Sequence, residues 1–377
     1  MMIIILLFFV TLLIHYSFFL SKILIGLNKL QTPTNNELPD ELISIIIPFR
    51  NESITILRSL KSIENLNYPE NKFEVIYIDD SSTDDSYHLL KANNKRCNIK
   101  ILKLPDEILS KGNKKRAVQY GIENSTGEII VTTDADCIHN KNWLNTLLKY
   151  FDDETVFISA PVEFRNGPTL FAKIQKLEFE GLILAGAGLI GYGEPIICNG
   201  ANISYRKNIF KQLNGYNDNI YLSSGDDGFL MQKIVRQTEY KIKFCCDRDA
   251  VVMTDSNRNV KDFFNQRNRW ASKSLFYEDK KLVVQLMLIF LFYSGLLIQP
   301  ILALAGFTYI WLIFSLSILT KLYLEFQIIH KGENLFFNKN NKMIFLLTEF
   351  FQVPYIVIAS LNGLWGNFVW KKRKIKR

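Results

Sequence analysis

The stretch IIVTTDADC, residues 129–137, is a run of β-branched and apolar residues that stops abruptly at two carboxylates, Asp134 and Asp136. Continuous rather than alternating hydrophobicity marks a strand covered on both faces, and such strands belong in parallel sheets layered between helices. Upstream, ISIIIPF (43–49), EVIYI (74–78) and IKILKL (99–104) have the same character, as does VFISAP (156–161) downstream. The segments ITILRSLKSIENL (54–66) and NKKRAVQYGIEN (113–124) space their apolar residues three and four apart, as amphipathic helices do. The expected fold is therefore α/β, a mostly parallel sheet flanked by helices.

In open α/β sheets, ligands bind beyond the carboxyl ends of the strands. Asn51-Glu52 follows the first strand, Asp79-Asp80 the second, and Asp134 and Asp136 the fourth, so acids distant in sequence are delivered to one edge. Singly, each has an ordinary role: Glu52 in a first helical turn, Asp80 with Ser81 and Ser82 as caps, Asp134 as a turn former. Their coincidence at strand ends points to a divalent cation with an anionic ligand. Carboxylates without clustered His or thiolate favour Mg2+ or Mn2+, which bind through one or two carboxylates and the oxygens of a substrate phosphate. No GxxxxGK[ST] loop occurs and no GxGxxG turn follows the first strand, which disfavours a P-loop or dinucleotide fold. Side chains would then meet the phosphate: Lys111, Lys114 and Lys115 form one set of candidates, Arg267 and Arg269 another.

The chain of 377 residues has a net charge of +8, and its apolar residues are unevenly spread. Residues 1–21 contain no charged side chain, and neither do residues 282–320. With a rise of about 1.5 Å per residue and a hydrocarbon core roughly 30 Å thick, the first run makes one crossing and the second makes two. The break in the second is expected at Gln299-Pro300. A third stretch, 343–369, carries only Glu349 and is interrupted by Pro354 and Gly363. The N-terminal run lacks a basic leader and a small-x-small cleavage site, so it reads as a retained anchor.

Lys22 and Lys29 follow the first span, Lys321, Lys331, Lys339 and Lys342 are read as the loop after the third, and KKRKIKR occupies 371–377. The positive-inside rule then puts residues 28–281 in the cytoplasm of a multi-pass protein of the cell membrane. Keeping the basic tail on that side requires residues 343–369 to re-enter or lie in the interface rather than span. The expected division is an anchor at 1–27, a cytoplasmic catalytic domain at 28–281 and a membrane region at 282–377. The positive charge suits lipid headgroups and phosphates rather than nucleic acid, since no aromatic-interleaved basic stripe occurs. Five irregularly spaced cysteines suit reduced thiols better than a disulfide framework.

Over residues 42–275 an ordered series of motifs resembles the family 2 glycosyltransferases of GT-A fold, in the membrane-bound branch that includes polysaccharide synthases. IIIPFRNE (45–52) resembles the family's opening strand, VIYIDDSSTDDS (75–86) its nucleotide-binding turn and TTDADC (132–137) its DxD motif. CNGANISYRK (198–207), which contains Asn202, resembles the acceptor-side loop, GDDGFL (225–230) the GED-like segment and QRNRW (266–270) the QxxRW motif.

The resemblance implies that Glu52, Asp79 and Asp80 contact the nucleoside with Lys114 nearby. Asp134 would reach the ribose or metal-bound water, and Asp136 would ligate Mg2+ or Mn2+. Asp227 would be the catalytic base, although Asp226 stands where the family more often has Glu. Gln266, Arg267, Arg269 and Trp270 would line the acceptor and pyrophosphate side. The expected activity is inverting, metal-dependent transfer of a hexosyl or N-acetylhexosaminyl group from a nucleotide sugar, with a UDP-sugar the expected donor, to a membrane-associated glycan or lipid-linked acceptor. The competing reading is a membrane-anchored protein that binds a nucleotide sugar without turnover, against which a base at Asp227 would be superfluous.

Overall fold

The apolar runs form strands and the periodic segments form helices in a computed structural model that describes residues 2–34, 38–105, 113–220, 226–272, 276–277, 279–339, 342–365, 368–370 and 373–375. In chain order, α1 (Met2–Lys29) leads to β1 (Ile43–Phe49), α2 (Ile56–Glu64), β2 (Phe73–Asp79), α3 (Ser86–Asn93), β3 (Ile99–Lys103), α4 (Lys114–Glu123) and β4 (Ile129–Thr132). Then follow α5 (Trp143–Leu148), β5 (Thr155–Ser159), β6 (Val162–Phe164), α6 (Leu170–Tyr192), β7 (Ile203–Arg206), α7 (Lys207–Gln212), α8 (Asp226–Gln237), β8 (Lys241–Phe244) and β9 (Val252–Thr254). Beyond them come α9 (Val260–Ser272), α10 (Lys280–Leu304), α11 (Ile310–Leu335), α12 (Lys342–Trp365) and the hairpin β10 (Phe368–Trp370) and β11 (Arg373–Ile375).

The chain folds into two compact units, one comprising residues 29–165 and 189–255, the other residues 1–28, 166–188 and 256–377. Among the described residues the first unit holds a seven-stranded sheet of order β3-β2-β1-β4-β7-β5-β8. β1 to β4 run parallel, and β7 enters antiparallel between β4 and β5. Every residue of β1, β2, β4 and β5 is buried, which is the physical reason their sequences are largely apolar instead of alternating. α4 lies close on this sheet because Gly121 has no side chain: a Cβ there would come within 2.7 Å of Ile78 and 2.8 Å of Ile46.

The second unit contains α1, residues 170–188 of α6, and α9 to α12. Among the described residues four helices are long and apolar enough to cross a membrane: α1, α10, α11 and residues 342–363 of α12. The expected break at Gln299-Pro300 is not where the second apolar run turns. Pro300 sits inside α10, near its end, where the ring forfeits a single backbone bond. The turn instead follows Ala305: Gly306 takes φ 106°, its N–H donates to Ala303 O at 3.3 Å and Phe307 N–H to Leu302 O at 3.2 Å. This left-handed closure needs glycine and satisfies two terminal carbonyls.

Lys321, read from sequence as part of a basic loop, is instead 1% exposed within α11. Its ammonium pairs with Glu349 of α12, meets Glu325 at 3.1 Å and donates to Gln352 Oε1 at 2.7 Å. Tyr16 of α1 stacks on Phe292 of α10 at 4.0 Å, and its hydroxyl bonds Tyr293 at 2.9 Å and also Glu325. Four apolar helices are thus joined by one buried polar cluster, with charge neutralised locally where lipid would not solvate it. Lys321→Met leaves the two carboxylates uncompensated and is expected to cost about 3–5 kcal/mol of stability, read as lowered thermal unfolding in detergent. Lys321→Met combined with Glu349→Gln should recover part of that loss; no recovery would place the cost in packing instead.

Candidate active site

β1, β2 and β4 end side by side, with Phe49 opposite Asp79 and Ile46 opposite Thr132, so the loops that follow them share the carboxyl edge of the sheet. Two of these loops are laced together. Arg50 Nη1 donates to the carbonyls of Asp80 and Ser81, each at 2.5 Å, and Asn51 Oδ1 accepts from Thr83 N at 2.7 Å. Ser86 Oγ accepts from Glu52 N at 2.7 Å, and Asp84 Oδ2 from Ser53 N at 3.0 Å. Asn51 and Ser81 hold φ of 53° and 60°, left-handed conformations that non-glycine residues keep only where surroundings fix them. Burial alone would raise the Asp84 carboxyl, but hydrogen bonds from Ser86 and Ser53 pull it down to about 2, so it stays an anionic brace.

Within this frame Asp79 and Asp80 are buried, and Asp79 Oδ1 accepts from Ser82 N at 2.8 Å. Glu52 is half-buried in the turn ahead of α2, accepting from Thr55 Oγ1 at 2.9 Å. Asp134 and Asp136, both half-buried, occupy the turn after β4. Lys114, at the first position of α4, pairs with Asp134 at 2.7 Å, while Lys115 is buried with its ammonium 4.9 Å from the Phe229 ring centre. Asn113 caps α4 by accepting from Arg116 N at 3.1 Å, and its Nδ2 donates to Ile220 O at 2.7 Å. Lys111 lies outside the described residues.

Behind the turn sits His139, whose role the sequence did not signal. Its two ring nitrogens meet Ser62 Oγ at 2.9 Å and Thr133 Oγ1 at 2.8 Å, and its ring packs on Trp143 at 4.3 Å. Burial lowers its pKa to about 3, so a neutral imidazole ties Thr133, next to the acid pair, to α2.

β7 pairs antiparallel with β4, Ile203 opposite Thr132, and this brings the preceding loop to the same mouth. Gly200 O accepts from Thr132 Oγ1 at 3.1 Å, and Gly200 N donates to Asp227 Oδ2 at 2.8 Å. Asp227 Oδ1 accepts from Gly228 N at 2.7 Å. Asp226 begins α8, and its side chain lies outside what the structure describes. Asn202 is fully buried: it accepts from the Trp143 indole at 3.0 Å and donates to Pro161 O and Ala250 O at 2.7 and 2.8 Å. Its observed contacts pin the loop from within.

QRNRW lies on α9, in the other unit. Phe263, Arg267 and Trp270 form a stripe at helical spacing, with the Arg267 guanidinium 4.6 Å from the Phe263 ring centre and 4.4 Å from that of Trp270. Arg267 is 4% exposed, pairs with Glu178 and donates to Gln266 Oε1 at 2.6 Å. Trp270 stacks on Phe179 at 6.0 Å, and Arg269 is half-buried off the stripe.

Among the described residues no group of three or more His, Cys, Asp or Glu could hold a metal ion unaided. The donors at the mouth still fit a hard cation that takes one or two carboxylates and completes its shell with phosphate oxygens and water.

The family model for glycosyl transferase family 2 matches residues 44–213, and that for glycosyl transferase family group 2 matches residues 129–324, more than half of the chain. The chain belongs to the family 2 glycosyltransferases. This glycosyltransferase is 29% identical over 270 residues to the hyaluronan synthase of Streptococcus pyogenes, covering 67% of this chain and 62% of that protein. It is 26% identical over 242 residues to the probable glycosyltransferase YdaM of Bacillus subtilis (strain 168), covering 62% of this chain and 55% of that protein. The match thus spans less than two thirds of either relative's length. The mannosyltransferase PcManGT from Pyrobaculum calidifontis, solved in complex with GDP-Man and Mn2+, superposes with a TM-score of 0.56 at 16% identity, over 95% of this chain and 98% of that one. The shared architecture is the GT-A fold, here in a membrane-type protein.

Proposed function

We propose that this glycosyltransferase is inverting and metal-dependent, moving a hexosyl or N-acetylhexosaminyl group from a UDP-sugar to a membrane-associated glycan or lipid-linked acceptor. The observation that carries the reading is the hydrogen-bonded path from Asp227 through Gly200 to Thr132, which brings a carboxylate to the mouth where Lys114 already holds Asp134. Glu52, Asp79 and Asp80 would engage the nucleoside, Lys114 a phosphate, and Gln266, Arg267, Arg269 and Trp270 the acceptor and pyrophosphate side. In the transfer, an acceptor hydroxyl attacks the anomeric carbon as the bond to the nucleoside diphosphate breaks, and Asp227 takes the hydroxyl proton. Asp136, with Asp134, would hold Mg2+ or Mn2+, whose chemistry is Lewis-acid stabilisation of charge on the departing diphosphate.

Residues 28–281 form the catalytic part on the cytoplasmic side in this reading, where nucleotide sugars are made. Support comes from Lys22 and Lys29 at the end of α1 and from Lys331, Lys339 and Lys342 around the connection between α11 and α12. α12 is a single helix through Pro354, so it has the length to span as well as to lie in the interface. The test is nucleotide release by the purified protein with Mn2+ and a panel of UDP-sugars, with GDP-mannose included because of the PcManGT likeness. UDP release with one UDP-sugar is expected. Absence of both release and binding across the panel sinks the proposal, and tight binding without turnover favours the non-catalytic binder.

A further inference from the structure

Two residues of α6 one helical turn apart, Gln175 and Glu178, are buried at 1% and 4% exposure and both reach toward the segment that carries QRNRW. Gln175 grips Asn257 on three sides. Its Oε1 accepts from Asn257 N at 3.0 Å and Nδ2 at 3.2 Å, and its Nε2 donates to Asn257 O at 3.0 Å. Asn257 Nδ2 passes the connection on to Gln266 Oε1 at 2.8 Å. Glu178 takes one carboxylate oxygen to the Arg267 guanidinium and the other to the Tyr355 hydroxyl of α12. Tyr355 also sets its ring edge-on to Phe263 of α9 at 5.3 Å. The motif helix is therefore clamped at both Gln266 and Arg267, between α6 and α12.

We propose that Glu178 is a positioning residue for the transfer reaction: through Arg267 it fixes the rotation of α9 and so the placement of Arg269 and Trp270. This rests on the reading of QRNRW as the acceptor and pyrophosphate side. Helix packing alone does not call for an ion pair here, because apolar residues of similar volume hold buried helices together as well or better. What a carboxylate held by two donors adds is direction. The guanidinium has a planar fork with fixed donor geometry, so the pair allows one rotation of α9 where rings and aliphatic chains would tolerate several. Arg267 then acts as the anchor of the motif, flanked by the Phe263 and Trp270 rings. Arg269, two residues on and off the anchored stripe, moves with any rotation that Glu178 permits.

The experiment compares Glu178→Gln and Tyr355→Phe with wild type by the share of donor cleavage that ends as free sugar rather than glycosidic product. That ratio does not depend on how much of the preparation is folded, so a purely structural role leaves it unchanged. Misplacing reacting groups by an ångström can cost about a hundredfold, so Glu178→Gln should raise the hydrolysed share at least about tenfold. Tyr355→Phe, which keeps the Arg267 pair, should fall between the two. Hydrogen exchange of residues 263–272 should quicken in Glu178→Gln. A variant with the wild-type ratio and only lower thermal stability overturns the proposal. Absence of turnover in the wild type would sink the transferase reading instead, and unchanged exchange across α9 in Glu178→Gln would then still refute the positioning role.

Discussion

Asp227→Asn is expected to turn over at least about a hundredfold more slowly than wild type while binding the donor almost normally. A general base contributes on the order of a hundredfold to ten-thousandfold, and an amide cannot accept the proton. The change is not silent structurally. Asp227 accepts from Gly200 N and Gly228 N, and an Asn side chain has one acceptor oxygen for these two donors. One amide loses its partner, which costs about 1–3 kcal/mol and loosens the Gly200 loop. Rate and stability must therefore be read separately, by kcat with saturating donor and by unfolding of the same preparation. Asp226→Asn, which leaves the Gly200 contact intact, is expected to be milder. Equal losses in the two variants would leave the base between them, and a nearly active Asp227→Asn enzyme would falsify the assignment.

Four of the five apolar runs named from sequence were legible as strands because burial on both faces removes alternation, and IKILKL, part-exposed at the sheet edge, also contains an observed strand. The acids at the mouth were legible for the same reason, since a carboxylate directly after such a run has to leave the sheet at its carboxyl end. Two features were hidden by their dependence on distant partners. Lys321 ends an uncharged run and so resembles a loop cation, but Glu325 and Glu349 make its burial tolerable. Gln299-Pro300 resembles a break, but a proline close to a helix end disturbs little, and Gly306 supplies the turn. The braces Arg50, Asp84 and His139 were equally out of reach, because each acts on a backbone group or hydroxyl that only the fold brings near. For Asp84 the DDSSTDDS repetition was a signal of polar turn chemistry, though not of which residue braces which.

Asp136→Ala should abolish the gain in donor affinity that Mn2+ provides, with metal-free nucleotide binding retained through Glu52, Asp79 and Asp80. Asp134 is shared with the Lys114 ammonium at 2.7 Å, so a cation approaching it meets positive charge already in place. In the proposed reading Asp136 is the carboxylate on which a metal and a diphosphate would converge, and its half-buried place on the turn after β4 lets alanine replace it without opening the core. Substitutions one shell out from a metal commonly cost ten- to a hundredfold in affinity, so loss of a direct ligand should remove at least about tenfold of the Mn2+-dependent part. Calorimetry of UDP binding with and without Mn2+ reads that difference directly. Asp134→Asn provides the contrast: it removes the carboxylate that positions the Lys114 ammonium, so it should weaken UDP binding whether or not Mn2+ is present. An Asp136→Ala protein that folds normally and keeps the full Mn2+ response would move the metal to Asp134 and leave Lys114 as a phosphate ligand that lets go of its carboxylate when the donor arrives.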